Sequence, residues 1–232
     1  PIYMDGVQVC SVATHRHLGV VVSTNLRWSN HIDFVLGRAT RKVSLLRYMS
    51  RHLPSIVVQR LYIVCVRPTL EYACEVWHAG LLESDALRDR LERLQATVAR
   101  AVLGTRTTRT SKSTLLAALG WPALRWRRVV RCICLLHRLL HKPLAPVSEF
   151  VPRFVCSTSP YSLRKPHQLL IPHCSSVREQ HTFYVNSAFL WNSLPANIQA
   201  IQSPASFKTA VERHWAAYMY RTDNWLRSLS LC

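Results

Sequence analysis

Acidic residues are scarce in this sequence. Its 232 residues carry 30 Lys and Arg against 12 Asp and Glu, a formal net charge of +18 and a pI near 10.3. None of the acids form an Asp-Asp pair. Clustered carboxylates that could hold two cations for phosphoryl transfer are therefore not assignable in this chain. Glycine is also sparse, at six residues, and there is neither a Gly-rich phosphate loop nor a G-x-S-x-G elbow. The eight cysteines (10, 65, 74, 132, 134, 156, 174 and 232) include no C-x-x-C pair and keep no regular spacing. That speaks against zinc knuckles and secreted disulfide frameworks and fits a reducing compartment. Long apolar runs are missing too. The nearest, "SIVVQRLYIVCVRPTL", is broken by Gln59, Arg60 and Arg67, short of the roughly 18 apolar residues a membrane span needs. No membrane partner is expected. The chain opens at Pro1 with no Met and no signal-like segment, and is expected to be a piece of something longer.

Hydrophobic residues make up 49% of the chain, enough to bury a core. The pattern predicts a mostly α (α+β) fold. "GVQVCSV" and "HLGVVVS", with the break "ATHR" between them, read as an N-terminal β-hairpin. A helix follows, with Ile32, Val35, Leu36, Ala39, Val43 and Leu46 on one face and Ser29 or Asn30 as its cap. A second helix is expected from Ser55 to Trp77, kinked or divided at Pro68. A third places Leu87, Leu91, Leu94, Val98 and Ala101 on one stripe and stops at Gly104. After a basic loop, Ser111 or Ser113 caps a short helix that ends at Gly120-Trp121-Pro122. The next helix, "ALRWRRVVRCICLLHRLLHK", is amphipathic. A strand, "QLLIPH", and a helix capped by Ser203 with Pro204 at its first position close the chain. The domain reading is an end hairpin over 1–29, a helical bundle over 30–142, a Pro/Ser-rich linker over 143–166 and a C-terminal strand-and-helix module over 167–232.

Charge is unevenly spread. Residues 101–150 hold nine Lys and Arg against one Glu, whereas residues 51–100 hold seven against six acids. Such a surface attracts polyanions, so RNA or DNA is the expected partner. The candidate phosphate contacts are Arg38, Arg41 and Lys42 on the first long helix, Arg106, Arg109 and Lys112 in and after the basic loop, and Arg127, Arg128, Arg131 and Arg138 on the later helix. No acid in that later helix interrupts its basic stripe. Trp28, Trp121 and Trp126 could stack on bases or fill the core. Asp85, Asp89 and Glu92 lie among Arg88, Arg90 and Arg93 and read as a solvated face with i,i+4 ion pairs. Cys134, His137 and His141 share helix spacing that suits zinc, but no matching ligand pair lies nearby in sequence. The plainer reading puts Cys134 at the core edge and both histidines on the basic face, with no metal.

Five stretches, in order, resemble one family. "HRHLGVVVSTNLRWSNHI", "VRPTLEYACEVWHAG", "LERLQATVARAVLG", "LGWPALRWRRVVRCICLLHRLL" and "FLWNSLP" with "SFK" are similar to the region that follows the polymerase palm in reverse transcriptases of non-LTR (LINE-type, CR1/L2/jockey-like) retrotransposons. The residues that carry the resemblance are Leu18, Gly19, Trp28, His31, Pro68, Tyr72, Trp77, Gln95, Gly104, Trp121, Trp191, Asn192, Leu194, Pro195 and Phe207. The resemblance implies that Leu18-Gly19 belongs to the last hairpin of the palm, near the primer end. It implies that the helix from about Asn30 begins the thumb, which grips the primer–template duplex. The fragment would bind primer–template or RNA for RNA-directed DNA synthesis, alongside fingers, palm and endonuclease regions that are not in this sequence. It would act inside the cell, in nucleus or cytoplasm. The family's catalytic Asp-Asp motif is not in this chain, so no cofactor is expected here, and Mg2+ would belong with the palm. The alternatives are a stand-alone, non-catalytic RNA- or DNA-binding protein and an inert transposon remnant.

Overall fold

The computed structural model describes residues 2–105, 109–142, 153–154 and 167–222. Most of the expected linker, Arg106 and residues 223–232 lie outside the described residues. The fold is mostly helical with a minor β component.

The N-terminus holds two hairpins where one was expected. β1 (Ile2–Met4) pairs antiparallel with β2 (Val7–Val9), and β3 (Thr14–His17) with β4 (Val20–Ser23). Each turn has two residues, Asp5-Gly6 and Leu18-Gly19, and all four have positive φ. That is the twist a two-residue hairpin demands, and Asp-Gly is a standard signal for it. The expected pairing of "GVQVCSV" with "HLGVVVS" gives way to these local pairings.

α1 (Ser29–Met49) buries Ile32, Val35, Leu36, Ala39, Val43 and Leu46, the face its spacing predicts. Neither Ser29 nor Asn30 caps it. Trp28 takes the cap position with no side-chain bond, and Asn30 Nδ2 instead donates to Ser23 Oγ at 3.1 Å, tying the helix to β4. The expected helix from Ser55 to Trp77 is three pieces. α2 (Ser55–Leu61) runs through a π-turn (Tyr62–Val66) into α3 (Arg67–Glu71), with Pro68 in the first turn of α3. The π-turn shifts Arg67 N–H to the Tyr62 carbonyl, and Pro68, which has no N–H to donate, follows it where a helix's first turn tolerates proline. The chain breaks later, at Tyr72-Ala73, where Ala73 is left-handed (φ 48°), before α4 (Cys74–Trp77).

A 3₁₀ turn (Ala79–Glu83) leads to α5 (Asp85–Leu103), which Ser84 caps and left-handed Gly104 ends. α6 (Lys112–Ala118) is capped by Ser111, and α7 (Leu124–His141) crosses α4 and α5. Glu92 of α5 receives the N–H groups of Leu124 and Arg125 at 3.1 and 2.7 Å, and Gln95 Nε2 donates to the Pro122 carbonyl. The α7 N-terminus, which has no cap of its own, is closed by a neighbouring helix.

The last segment contributes α8 (Val177–Gln180), α9 (Phe183–Asn192), α10 (Ala196–Gln199) and α11 (Pro204–His214). Ser203 caps α11 as expected. "QLLIPH" forms no strand, only a single bridge from Leu169 to Phe154. The Asn192 side chain partners this stretch instead, accepting from Leu169 N and donating to Leu169 O at 2.8 and 2.9 Å. Residues of this segment share the core of α7. Trp191, Phe207 and Trp215 are fully buried there, and Trp126 Nε1 donates to Trp215 O at 2.9 Å.

Two predictions follow from this packing. Replacing Trp191 by Ala removes a fully buried indole that also donates to the His167 carbonyl. The cost should be about 3–5 kcal/mol, read as a lowered midpoint in urea. The second concerns His31, buried among Trp28, Phe34 and Trp77, with Nδ1 accepting from Val21 N–H. Burial pushes its pKa down to about 4 from the ordinary 6.5. Because the folded state binds its proton less readily, stability is full above pH 6.5 and falls as pH drops towards 4. Between pH 6.5 and 5 the loss should be about 2 kcal/mol. His31→Asn keeps an acceptor but does not titrate, so its thermal midpoint should fall less over that range. Equal falls would refute the assignment.

Candidate nucleic-acid interface

Three concavities adjoin through shared lining residues. The first, about 590 Å³, is lined by Arg41, Arg38, Gly37, Phe34, Asp33 and Arg16. It shares Arg16, Phe34 and Arg38 with a second of about 400 Å³, which reaches over Gly19 and His31 to Pro68 and Tyr72. Pro68 and Tyr72 also border the third, about 430 Å³, which holds Arg67, Arg127 and Arg131 with Glu71 and Glu75. The result is a groove with six arginines, running from α1 past the β3–β4 hairpin to α7.

Local chemistry explains how the side chains reach it. Arg16 and Arg38 both lie over the Phe34 ring, 5.0 and 5.6 Å from its centroid. This cation–π contact fixes the two guanidinium groups beside the groove while leaving their N–H groups for an acceptor. The groove's ridge is Tyr72, whose hydroxyl donates to the Leu18 carbonyl at 2.9 Å. Gly19 lies against the same ring. It has a positive φ of 84°, and a Cβ there would stand 3.1 Å from Tyr72 Cε1. Below the ridge, Trp77 Nε1 donates to the Tyr72 carbonyl at 3.0 Å, holding the chain where it breaks before α4. Trp28 packs so closely on Gly80 that any β-carbon there would collide with the indole.

Acids from other helices neutralise much of the α7 stripe, against the expectation from sequence. Arg127 is paired with Glu71, whose second oxygen accepts from Nη2 at 3.0 Å. Arg131 Nε donates to Glu75 at 2.9 Å. Burial alone would lower the pKa of Arg127 and Arg131. The hydrogen bonds to Glu71 and Glu75, with the charges around them, more than offset it and raise both. Arg128 is no surface residue. It is fully buried, 5.6 Å over the Trp77 ring and 3.6 Å from Glu92. Glu92 is buried with it, so the α5 acids are not all on a solvated face. Asp85 and Asp89 do pair locally, with Arg88 and Arg93.

The other sequence candidates separate into three groups. Arg38 and Arg41 are exposed and line the groove. Lys42 is committed to the fold: its ammonium donates to Cys65 O and Thr69 Oγ1, both at 2.8 Å, pinning α1 to the π-turn. Lys112 is paired with Asp89, while Arg109 and Arg138 are exposed away from the three concavities. Arg16, Phe34 and Arg67 belong to the groove and were missed. Their charges and ring are ordinary in sequence, and only the packing of β3, α1 and α3 brings them together.

At the zinc-like spacing, Cys134 lies at the core edge and His141 is exposed, as the plainer reading has it, but His137 departs from it. His137 is buried rather than on the basic face. Its Nε2 donates to the Ile201 carbonyl at 2.6 Å, and its ring stacks between His141 and Phe207. Burial lowers its pKa. Among the described residues no group of three His, Cys, Asp or Glu is placed to hold a metal ion.

The residues that carry the family resemblance are mostly packing and clamping residues. Trp121 stacks on Tyr62 at 4.4 Å, Gln95 holds the start of α7, and Phe207 stacks on Trp191. Leu194 is buried, and Pro195 leads into α10. No helix of the described residues is long and apolar enough to cross a membrane. Comparison with protein-family models, with curated proteins and with solved structures finds nothing that matches this chain.

Proposed function

We propose that this chain binds the sugar–phosphate backbone of RNA or DNA along the arginine groove. In this reading it is the thumb and C-terminal region of a non-LTR retrotransposon reverse transcriptase, gripping primer–template during RNA-directed DNA synthesis. The observation that carries the binding reading is the groove itself, where Arg41, Arg38, Arg16, Arg67, Arg127 and Arg131 outnumber the three acids Asp33, Glu71 and Glu75. The order of the five sequence stretches supports the family reading. The meeting of Leu18, Gly19 and Tyr72 beside the groove is consistent with it.

The groove is suited to phosphates more than to bases. Both guanidinium groups at Phe34 lie over its ring, which leaves little of it for stacking. Recognition by charge is independent of sequence and weakens steeply with salt. The chain would supply grip, and the catalytic carboxylates and Mg2+ would come from the palm. A stand-alone nucleic-acid-binding protein would use the same groove, whereas in an inert remnant losing groove arginines would cost no more affinity than losing arginines elsewhere.

The test is fluorescence anisotropy of a labelled RNA–DNA hybrid duplex over a range of salt. Arg38→Gln with Arg41→Gln should weaken binding for every duplex sequence and reduce the slope of log K against log salt by about two. Arg138→Gln, outside the groove, should change neither by a comparable amount. Unchanged affinity and slope in the α1 double variant would refute the groove.

A further inference from the structure

The concavity between α3 and α7 has a charge imbalance that the protein does not resolve by itself. Arg67, Arg127 and Arg131 face Glu71 and Glu75, leaving one positive charge in excess. Glu71 and Glu75 are engaged by Arg127 and Arg131. Among the described residues, no side-chain hydrogen bond or ion pair reaches the Arg67 guanidinium, although Arg67 is half-buried. Burial and then the neighbouring Arg127 lower its pKa, outweighing the opposing charge of Glu71, which Arg127 already holds.

The backbone around this spot is irregular on both sides. The π-turn ends at Val66, immediately before Arg67, and Ala73 is held in the left-handed region, which costs a residue with a β-carbon about 1–2 kcal/mol. Such features recur at functional sites. Here the π-turn sets the start of α3 and the Ala73 break follows its end, with Arg67 lining the concavity beside the two α7 arginines, each already oriented by a carboxylate.

We propose that Arg67, supported by Arg127 and Arg131, forms a seat for one phosphodiester of a nucleic-acid strand that turns round the Tyr72 ridge. The single negative charge of a phosphodiester matches the one excess charge of the site. Guanidinium is the group that recognises phosphate by paired N–H donors. This deepens the reading of the groove and rests on it: the strand would pass from the α1 side to the α7 side.

The experiment has two arms. In the first, the thermal midpoint of the full chain is measured in inorganic phosphate and in chloride at equal ionic strength. Phosphate should raise it by about 5 °C at roughly one hundred times its dissociation constant. Arg67→Gln should lose that rise, and Arg67→Lys, which keeps the charge, should retain part of it. In the second arm, Arg67→Gln should reduce the salt slope for the hybrid duplex by about one. Absence of the phosphate effect in the parent chain, or its persistence in Arg67→Gln, overturns the seat. A phosphate effect that depends on Arg67, with an unchanged duplex slope, overturns the backbone assignment in favour of a free phosphate compound. Failure of the parent chain to bind duplex at all refutes the proposed function, whatever the variants do.

Discussion

The fold depends on one carboxylate at the start of α7. Glu92 takes the first N–H groups of a helix that has no cap of its own, and it lies beside buried Arg128. A carboxylate at a helix N-terminus is favoured by the dipole and by the unpaired donors there. Here the arrangement also gives Arg128 the nearest counter-charge in an interior where a lone cation would cost several kcal/mol. Gln95, one turn on, accepts from Leu124 N and donates to Pro122 O, so α5 sets both where α7 begins and the path that leads to it. The placement of α7 in turn positions Arg127 and Arg131 at the groove and supports α9 and α11 through Trp126, His137 and Trp191.

The residues that repeat a family's pattern and the residues that face the groove are largely different sets. They overlap at the middle concavity, at Leu18, Gly19, His31, Pro68 and Tyr72; Tyr72 joins the hairpin turn to the α3–α4 break and also forms the ridge between two concavities. Trp28, Trp77, Trp121, Trp191 and Phe207 build the frame behind it. A surface of charges on flexible stems needs such a frame, because phosphate binding is sensitive to where the guanidinium groups stand and less to their exact neighbours.

The face of α1 was legible because its information is local, whereas of the stripe expected on α5 only Leu91 and Val98 are fully buried, since Arg88, Glu92 and Gln95 turn inward. The period of α1 gave its buried side residue by residue, and Ser203-Pro204 and Gly104 marked boundaries through their own backbone preferences. The Asp5-Gly6 turn carried an equally local signal that a longer apolar run obscured. What could not be read were partners distant in the chain. Arg127 meets Glu71 across 56 residues, and Arg125 N meets Glu92 across 33. A helix with an unbroken basic stripe in sequence thus became two buried cations, Arg125 and Arg128, two paired ones, Arg127 and Arg131, and an exposed one, Arg138. Lys42 was missed as a structural residue for the same reason: its acceptors, Cys65 O and Thr69 Oγ1, stand 23 and 27 residues away in the chain.

That lysine has a mechanical consequence. The α1 side of the groove and the α3 side are separate stretches of chain, and helices that only pack can slide past one another. Lys42 bolts the two together at the point where the α2–α3 rod changes its winding. The spacing between the Arg38–Arg41 row and Arg67 is therefore built in before any ligand arrives, like the jaws of a gauge fixed at one opening. A polyanion entering such a groove has to match that spacing and need not order the protein first, so selectivity would come from the width and curvature of the strand rather than from its bases.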